Sequence, residues 1–191
     1  MSCSIDSFVR IREGTTPQAM VDEVESLLRP KAIEFFAEGS RIQLVYEKGS
    51  QWIQVWDLGF IGPASQYNTQ LFVFLANELR TEIVMLHGET TWGTATYAHY
   101  LDGELRRFLH SSWTDELDNW TWLEILGSPE PWEAIAFQEE NGWDYAVGER
   151  SPFGEYETRW FLREYYQLDS YCDGMRQRLI DRPLWDTEAE K

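Results

Sequence analysis

Apolar residues in the first half of the chain recur in two rhythms, one helical and one alternating. Met20, Val21, Val24, Leu27 and Leu28 follow helical spacing behind Thr16-Pro17. Thr16 offers a side-chain oxygen to the free N–H groups of a first turn, and Pro17 suits the first helical position. Pro30 is expected to end this helix. Residues 32–37 read as extended, with a pattern that also suits a helix end. Residues 41–47 alternate, with Ile42, Leu44 and Tyr46 on one face. Residues 51–57 alternate too, with Ile53 and Val55 opposite Trp52 and Trp56. The Lys48-Gly49-Ser50 turn between them predicts a β-hairpin. Its second strand is apolar on both faces, which places it inside a sheet with a layer on each side.

The same rhythms continue beyond a loop at 59–65. Phe72, Leu75, Ala76 and Leu79 form the stripe of a helix over 66–80, widened by Leu71 and Phe74. Residues 83–86 make a short apolar strand. Residues 94–101 and 104–109 flank Asp102-Gly103, a pair that favours the positive φ angles of a tight hairpin turn. The order is helix, three strands, helix, three strands. It predicts an α+β protein with one twisted, mostly antiparallel sheet of about six strands and helices packed on it.

The pattern changes after Leu109. Residues 110–150 carry Trp113, Trp120, Trp122, Trp132 and Trp143, and no strand is assigned there. Ser128-Pro129 reads as a helix start, with Trp132, Ile135 and Ala136 on one face and Asn141-Gly142 as its stop. Further helices are expected over 155–166 and 169–182, the last with Cys172, Met175 and Leu179 inward and Pro183 as terminator. The chain reads as a single domain, with an α+β core over 1–109 and an acidic, Trp-rich, helical subregion over 110–191.

Charge adds a strong bias. Thirty-three acidic side chains stand against sixteen basic ones, for a net charge of −17. Residues 102–150 hold twelve acids and three bases, more than half of that excess. Such a field repels nucleic acid and anionic membrane and attracts basic partners. The opening MSCSIDSFVRIRE has no long apolar run, and no stretch of about eighteen apolar residues occurs, so neither a signal peptide nor a membrane span is expected. Two cysteines, Cys3 in a terminus read as mobile and Cys172 on an apolar helix face, fit a reducing compartment. The expected location is the cytoplasm, and the expected form is a monomer or weak homo-oligomer.

Motifs for chemistry are lacking. His87, His99 and His110 fall at or near the second set of strands, where two or three can meet. Yet no His-x-His, His-Glu-x-x-His or paired Cys-x-x-Cys occurs, so no metal site is expected. A strand pair centred on Asp102-Gly103 sets His99 opposite Arg106. No Gly-x-Ser-x-Gly elbow or phosphate loop is present, and no cofactor is expected. Glu124, Glu130 and Glu133 lie among tryptophans and offer carboxylates for glycoside cleavage, against the simpler alternative of a solvated acidic surface.

Aromatics ringed by charge also concentrate binding energy at protein interfaces. The interface candidates are Trp113, Trp120, Trp122 and Trp143 with Asp115, Glu116, Asp118 and Asp144; the alternative is core packing plus ordinary acidic solubility. The expected function is a non-catalytic acidic protein-binding module, an immunity-type inhibitor of a basic toxin or nuclease that works by charge mimicry and steric blocking. The rival expectation is a small-molecule or glycan binder with an aromatic-lined pocket, extending to a carboxylate-dependent hydrolase.

Overall fold

A computed structural model describes residues 3–35, 42–56, 66–89, 93–115, 118–137, 146–154, 157–168 and 178–185. Eight strands form one antiparallel sheet: β1 (Cys3–Arg10), β2 (Ile42–Glu47), β3 (Trp52–Trp56), β4 (Ile83–Glu89), β5 (Thr94–Leu101), β6 (Glu104–Thr114), β7 (Asn119–Gly127) and β8 (Arg178–Trp185). Their order is β7-β6-β5-β4-β1-β3-β2-β8. The α+β class holds, with a larger sheet than expected. The second part of the chain supplies both edge strands.

Alternation along the strands builds two cores. Val9, Ile53, Met85, Ala98 and Tyr100 face α1 (Pro17–Phe35) and α2 (Gln66–Leu79), where Met20, Val24, Leu28, Phe72 and Leu75 cover them. Phe8, Trp52, Leu86, Tyr97, Leu109 and Trp122 face the other way. There α3 (Pro131–Ala136) and α4 (Glu157–Tyr165) contribute Trp132 and Leu162. As its two apolar faces require, β3 lies inside the sheet, between β1 and β2. The Thr16 cap is present, with the Ala19 N–H donating to Thr16 Oγ1 at 3.2 Å.

Several expectations are corrected. The first helix passes through Pro30 and reaches Phe35, so residues 32–35 are helical; an internal proline removes one backbone hydrogen bond without ending this helix. Residues 36–37 lie outside the described residues. Cys3 is the first residue of β1, paired with Glu89, and not part of a loose end. β1 escaped notice because its polar positions are buried. Asp6 pairs with Arg163 of α4 and accepts from Gln54, and Ser7 is wholly enclosed. β6 runs on to Thr114, and β7 lies where no strand was expected. A bulge between His110 and Ser111 leaves Leu123 as the extra residue of β7, which breaks the two-residue period of NWTWLEILG. Residues 178–182 are strand, not helix. Pro183 lies within edge strand β8, where a missing N–H is tolerated. α3 starts at Pro131, two residues past the expected start. Asn141-Gly142, Cys172 and Met175 lie outside the described residues.

Gly127 ends β7 with φ of 78°, and a Cβ there would overlap the carbonyl oxygen of Arg106. Gly49, in the β2–β3 turn with φ of 84°, has open space around it. Gly127→Ala is therefore expected to cost clearly more than Gly49→Ala, for which the left-handed penalty of about 1–2 kcal/mol is all that applies. Urea denaturation of the two variants checks the ranking, and equal losses would contradict it.

Candidate functional site

The sequence candidates divide among three fates. Trp113 and Trp120 face each other across β6 and β7 with ring centroids 6.2 Å apart, edge to face. Trp113 is 38% exposed and Trp120 is half-buried. The Trp113 backbone N–H donates to the Gly93 carbonyl at 2.7 Å, which ties its strand, and the Trp120 ring packs closely over Gly154. Asp115 and Asp118 are exposed at the tip of this hairpin. Trp122 is a correction: it is fully buried, stacked on Phe153 at 6.2 Å, and belongs to the core between the sheet and α3/α4. Glu116, Trp143 and Asp144 lie outside the described residues.

A second constellation was not foreseen. On the α3/α4 face of β5, Tyr97 and His99 point to Glu130, the residue that caps α3. Glu130 Oε1 meets His99 Nδ1. Glu130 Oε2 accepts from the Tyr97 hydroxyl, from Tyr166 at 3.0 Å and from the Trp132 indole N–H at 2.8 Å. On the far side of the imidazole, Glu82 Oε1 lies 3.1 Å from Nε2, close enough for an ion pair though off the line of a good hydrogen bond. Glu82 also takes Arg10 at 2.7 Å. Beside this group Arg107 is enclosed with Glu133. The guanidinium grips both carboxylate oxygens at 2.8 and 2.7 Å, and its third nitrogen donates to the Gly127 carbonyl at 2.7 Å. Glu133 Oε1 in turn accepts the Glu130 backbone N–H at 2.8 Å. One polar chain thus runs from β5 through the α3 cap to β6 and the end of β7.

The electrostatics follow. Burial alone would push the His99 imidazole down, but the hydrogen bonds and charges of Glu130 and Glu82 outweigh it and hold its pKa at about 9. Burial also works against the carboxylates, yet His99, Tyr97 and Trp132 keep Glu130 below the ordinary carboxylate value, and His99 and Arg10 do the same for Glu82. Burial, with the neighbouring charge of Glu130, raises both Tyr97 and Tyr166. At neutral pH the group is an imidazolium between two carboxylates, roofed by neutral phenols.

This geometry holds parts together and is poorly suited to proton transfer. A base must be able to take a proton, and His99 already carries one. Glu130 has four donors on its two oxygens, and Glu133 is neutralised by Arg107. His99 is opposed by Arg107, not Arg106, because a bulge shifts the register between His99 and Tyr100. The three histidines do not converge: His99 faces α3/α4, while His87 and His110 face the other layer from β4 and β6, with Thr96 of β5 between them in register. The His110 ring bonds Thr96 Oγ1 at 2.8 Å, and burial depresses its pKa. Among the described residues no group of three or more His, Cys, Asp or Glu side chains is placed to hold a metal ion. No helix among them is long and apolar enough to cross a membrane. No protein-family model, curated protein or solved structure matches the chain.

Two outcomes are expected of the clasp. A raised His99 pKa means the folded chain holds that proton more tightly than the unfolded one. Its stabilisation is therefore complete below the ordinary value of 6.5 and declines as pH rises through 9. Denaturant stability should fall across that window in the native chain, and His99→Gln should flatten the slope; equal slopes in both proteins would contradict the assignment. Glu133→Gln should cost about 3–5 kcal/mol, since it strands the buried Arg107 charge.

Proposed function

We propose that this chain is a non-catalytic, acidic protein-binding module for a basic partner, of the kind that an immunity protein presents to a basic toxin or nuclease. Its contact surface is the β6–β7 end of the sheet. The observation that carries this is a set of exposed apolar side chains at that end, with Trp113 beside Trp120 on the α3/α4 face and Leu126, opposite Phe108, on the other face. Six large apolar residues are exposed among those described: Trp113, Leu123, Leu126, Ile135, Val147 and Tyr165. Trp113, Leu123 and Leu126 lie on β6 and β7, and Val147 lies in the turn whose next residue, Gly148, is bonded to Trp122. Acids border them, with Asp115, Asp118 and Glu149 exposed. A rigid aromatic centre with a charged rim is how interfaces gather energy and speed encounter. Exposed carboxylates would take the place of the phosphates that a basic site otherwise holds, and the body of the fold would block access.

Against the rival expectation of a carboxylate-dependent hydrolase stands the occupancy of its best carboxylates, Glu130 and Glu133, by donors from the protein itself.

Affinity capture from the native lysate with a salt-graded elution tests the proposal. One stoichiometric basic protein should be held at low salt and released near about 1 M NaCl, where charges are screened within about 3 Å. Trp113→Ala with Trp120→Ala should weaken that complex by about 2 kcal/mol or more. Asp115→Asn with Asp118→Asn should mainly slow association and flatten its salt dependence. Absence of a basic partner, or full affinity in the double tryptophan variant, would sink it.

A further inference from the structure

The two edges of the sheet are finished differently, and we infer that the open part of β7, residues 123–127, takes an extended basic segment of the partner as an added strand. This inference rests on the function just proposed and assigns the mode of contact.

β8 is a blunted edge, with Pro183 inside it and two irregularities in its pairing with β2. Those are the devices that keep edge strands from recruiting other chains. Among the described residues, β7 is covered only along its first half. There the Trp122 N–H donates to the Glu149 carbonyl at 3.0 Å, and the Trp122 carbonyl accepts from Gly148 at 2.8 Å. Ser151 donates to the Trp120 carbonyl at 2.8 Å. A turn then carries the covering segment off the strand, closed by the Glu149 N–H on the Ala146 carbonyl at 3.0 Å. Beyond it, Glu124, Ile125, Leu126 and Gly127 stay in register on His110, Leu109, Phe108 and Arg107. Among the described residues, no strand pairs with their outer side.

With the Leu126 and Gly127 carbonyls held by Arg107, the outward groups left to an extended chain are the Ile125 N–H and carbonyl and the Gly127 N–H. Leu123 and Leu126 are 46% and 45% exposed, and Val147 stands at the mouth where the covering segment leaves. Such an edge with leucines on it is an aggregation hazard unless charge protects it or a partner fills it. Charge selects the occupant. Glu124 lies on the open part of β7 and Glu149 beside it on the cover, and the net charge of −17 opposes a second copy of this chain. The segment that fits is extended, rich in Lys or Arg, and carries apolar residues at alternate positions to meet the leucines.

The test uses the whole chain, isotopically labelled, at low ionic strength. The probe is a synthetic peptide of about six residues alternating lysine and valine, a usual strand length. Its control has the central valine replaced by proline, which keeps the charge and removes an N–H. The alternating peptide should slow amide exchange of Ile125 and Gly127, whose N–H groups point away from β6, about tenfold or more, while the proline peptide should not. Leu123→Lys with Leu126→Lys, both at exposed positions, should abolish the protection. Shifts confined to Trp113, Asp115 and Asp118 and equal for both peptides would overturn strand addition yet leave the basic-partner surface standing. No response to either peptide would overturn both. Protection without any peptide, accompanied by a sedimenting dimer, would assign the edge to a second copy instead.

Discussion

The Glu130 carboxylate is the tie on which the second helical layer depends. α3 is only six residues long, well below the length at which a helix persists alone. It keeps its place because its cap carboxylate binds Tyr97 and His99 on the sheet, Tyr166 after α4 and Trp132 within α3 itself. The Arg107–Glu133 pair repeats the tie one strand over and fastens the end of β7. Around these polar contacts the apolar packing of Trp122, Trp132, Phe137 and Phe153 excludes water. Buried charges are tolerated only when paired and hydrogen-bonded, and here each carboxylate is matched by donors.

That arrangement separates two uses of charge in one chain. The interior carboxylates hold architecture together and have little capacity left for a substrate. Acids left at the surface set the field, and around β7 they border tryptophan and leucine side chains that the fold leaves exposed. The clasp also makes the surface rigid, because Arg107 grips the carbonyls at the end of β7 from behind. If this is the contact face proposed above, such backing leaves it little freedom to lose on binding.

Much of the sheet was legible because its strands follow burial. β3 alternates cleanly between two cores, and Asp102-Gly103 turns with φ of 53° and 74°, as the dipeptide implies. Three strands were not legible, each for a local reason. β1 hides its period behind Asp6 and Ser7, whose burial depends on partners remote in sequence. β7 loses its period at the Leu123 bulge. β8 contains a proline that reads as a helix stop, although an edge strand tolerates it. Of the proposed contact surface, Trp113, Trp120, Asp115 and Asp118 were singled out from composition. Trp122 was assigned with them because sequence does not say which face of a strand a tryptophan takes once the period is broken. His99, Glu82 and Glu130 are separated by up to forty-eight positions, and no spacing rule joins them. The available signal was weak: a histidine within a predicted strand, which needs a charged or hydrogen-bonding partner once it is buried.

The central claim is that the interior charges of this chain are committed to holding its layers together. The protonation state of His99 tests it most directly, through nitrogen-detected NMR of the imidazole at about pH 7.5, one unit above the ordinary histidine value. The account expects both ring nitrogens protonated there, with titration only near pH 9. A neutral ring at that pH, titrating near 6.5, would contradict it and return His99 and Glu130 to the list of groups free to act on a substrate.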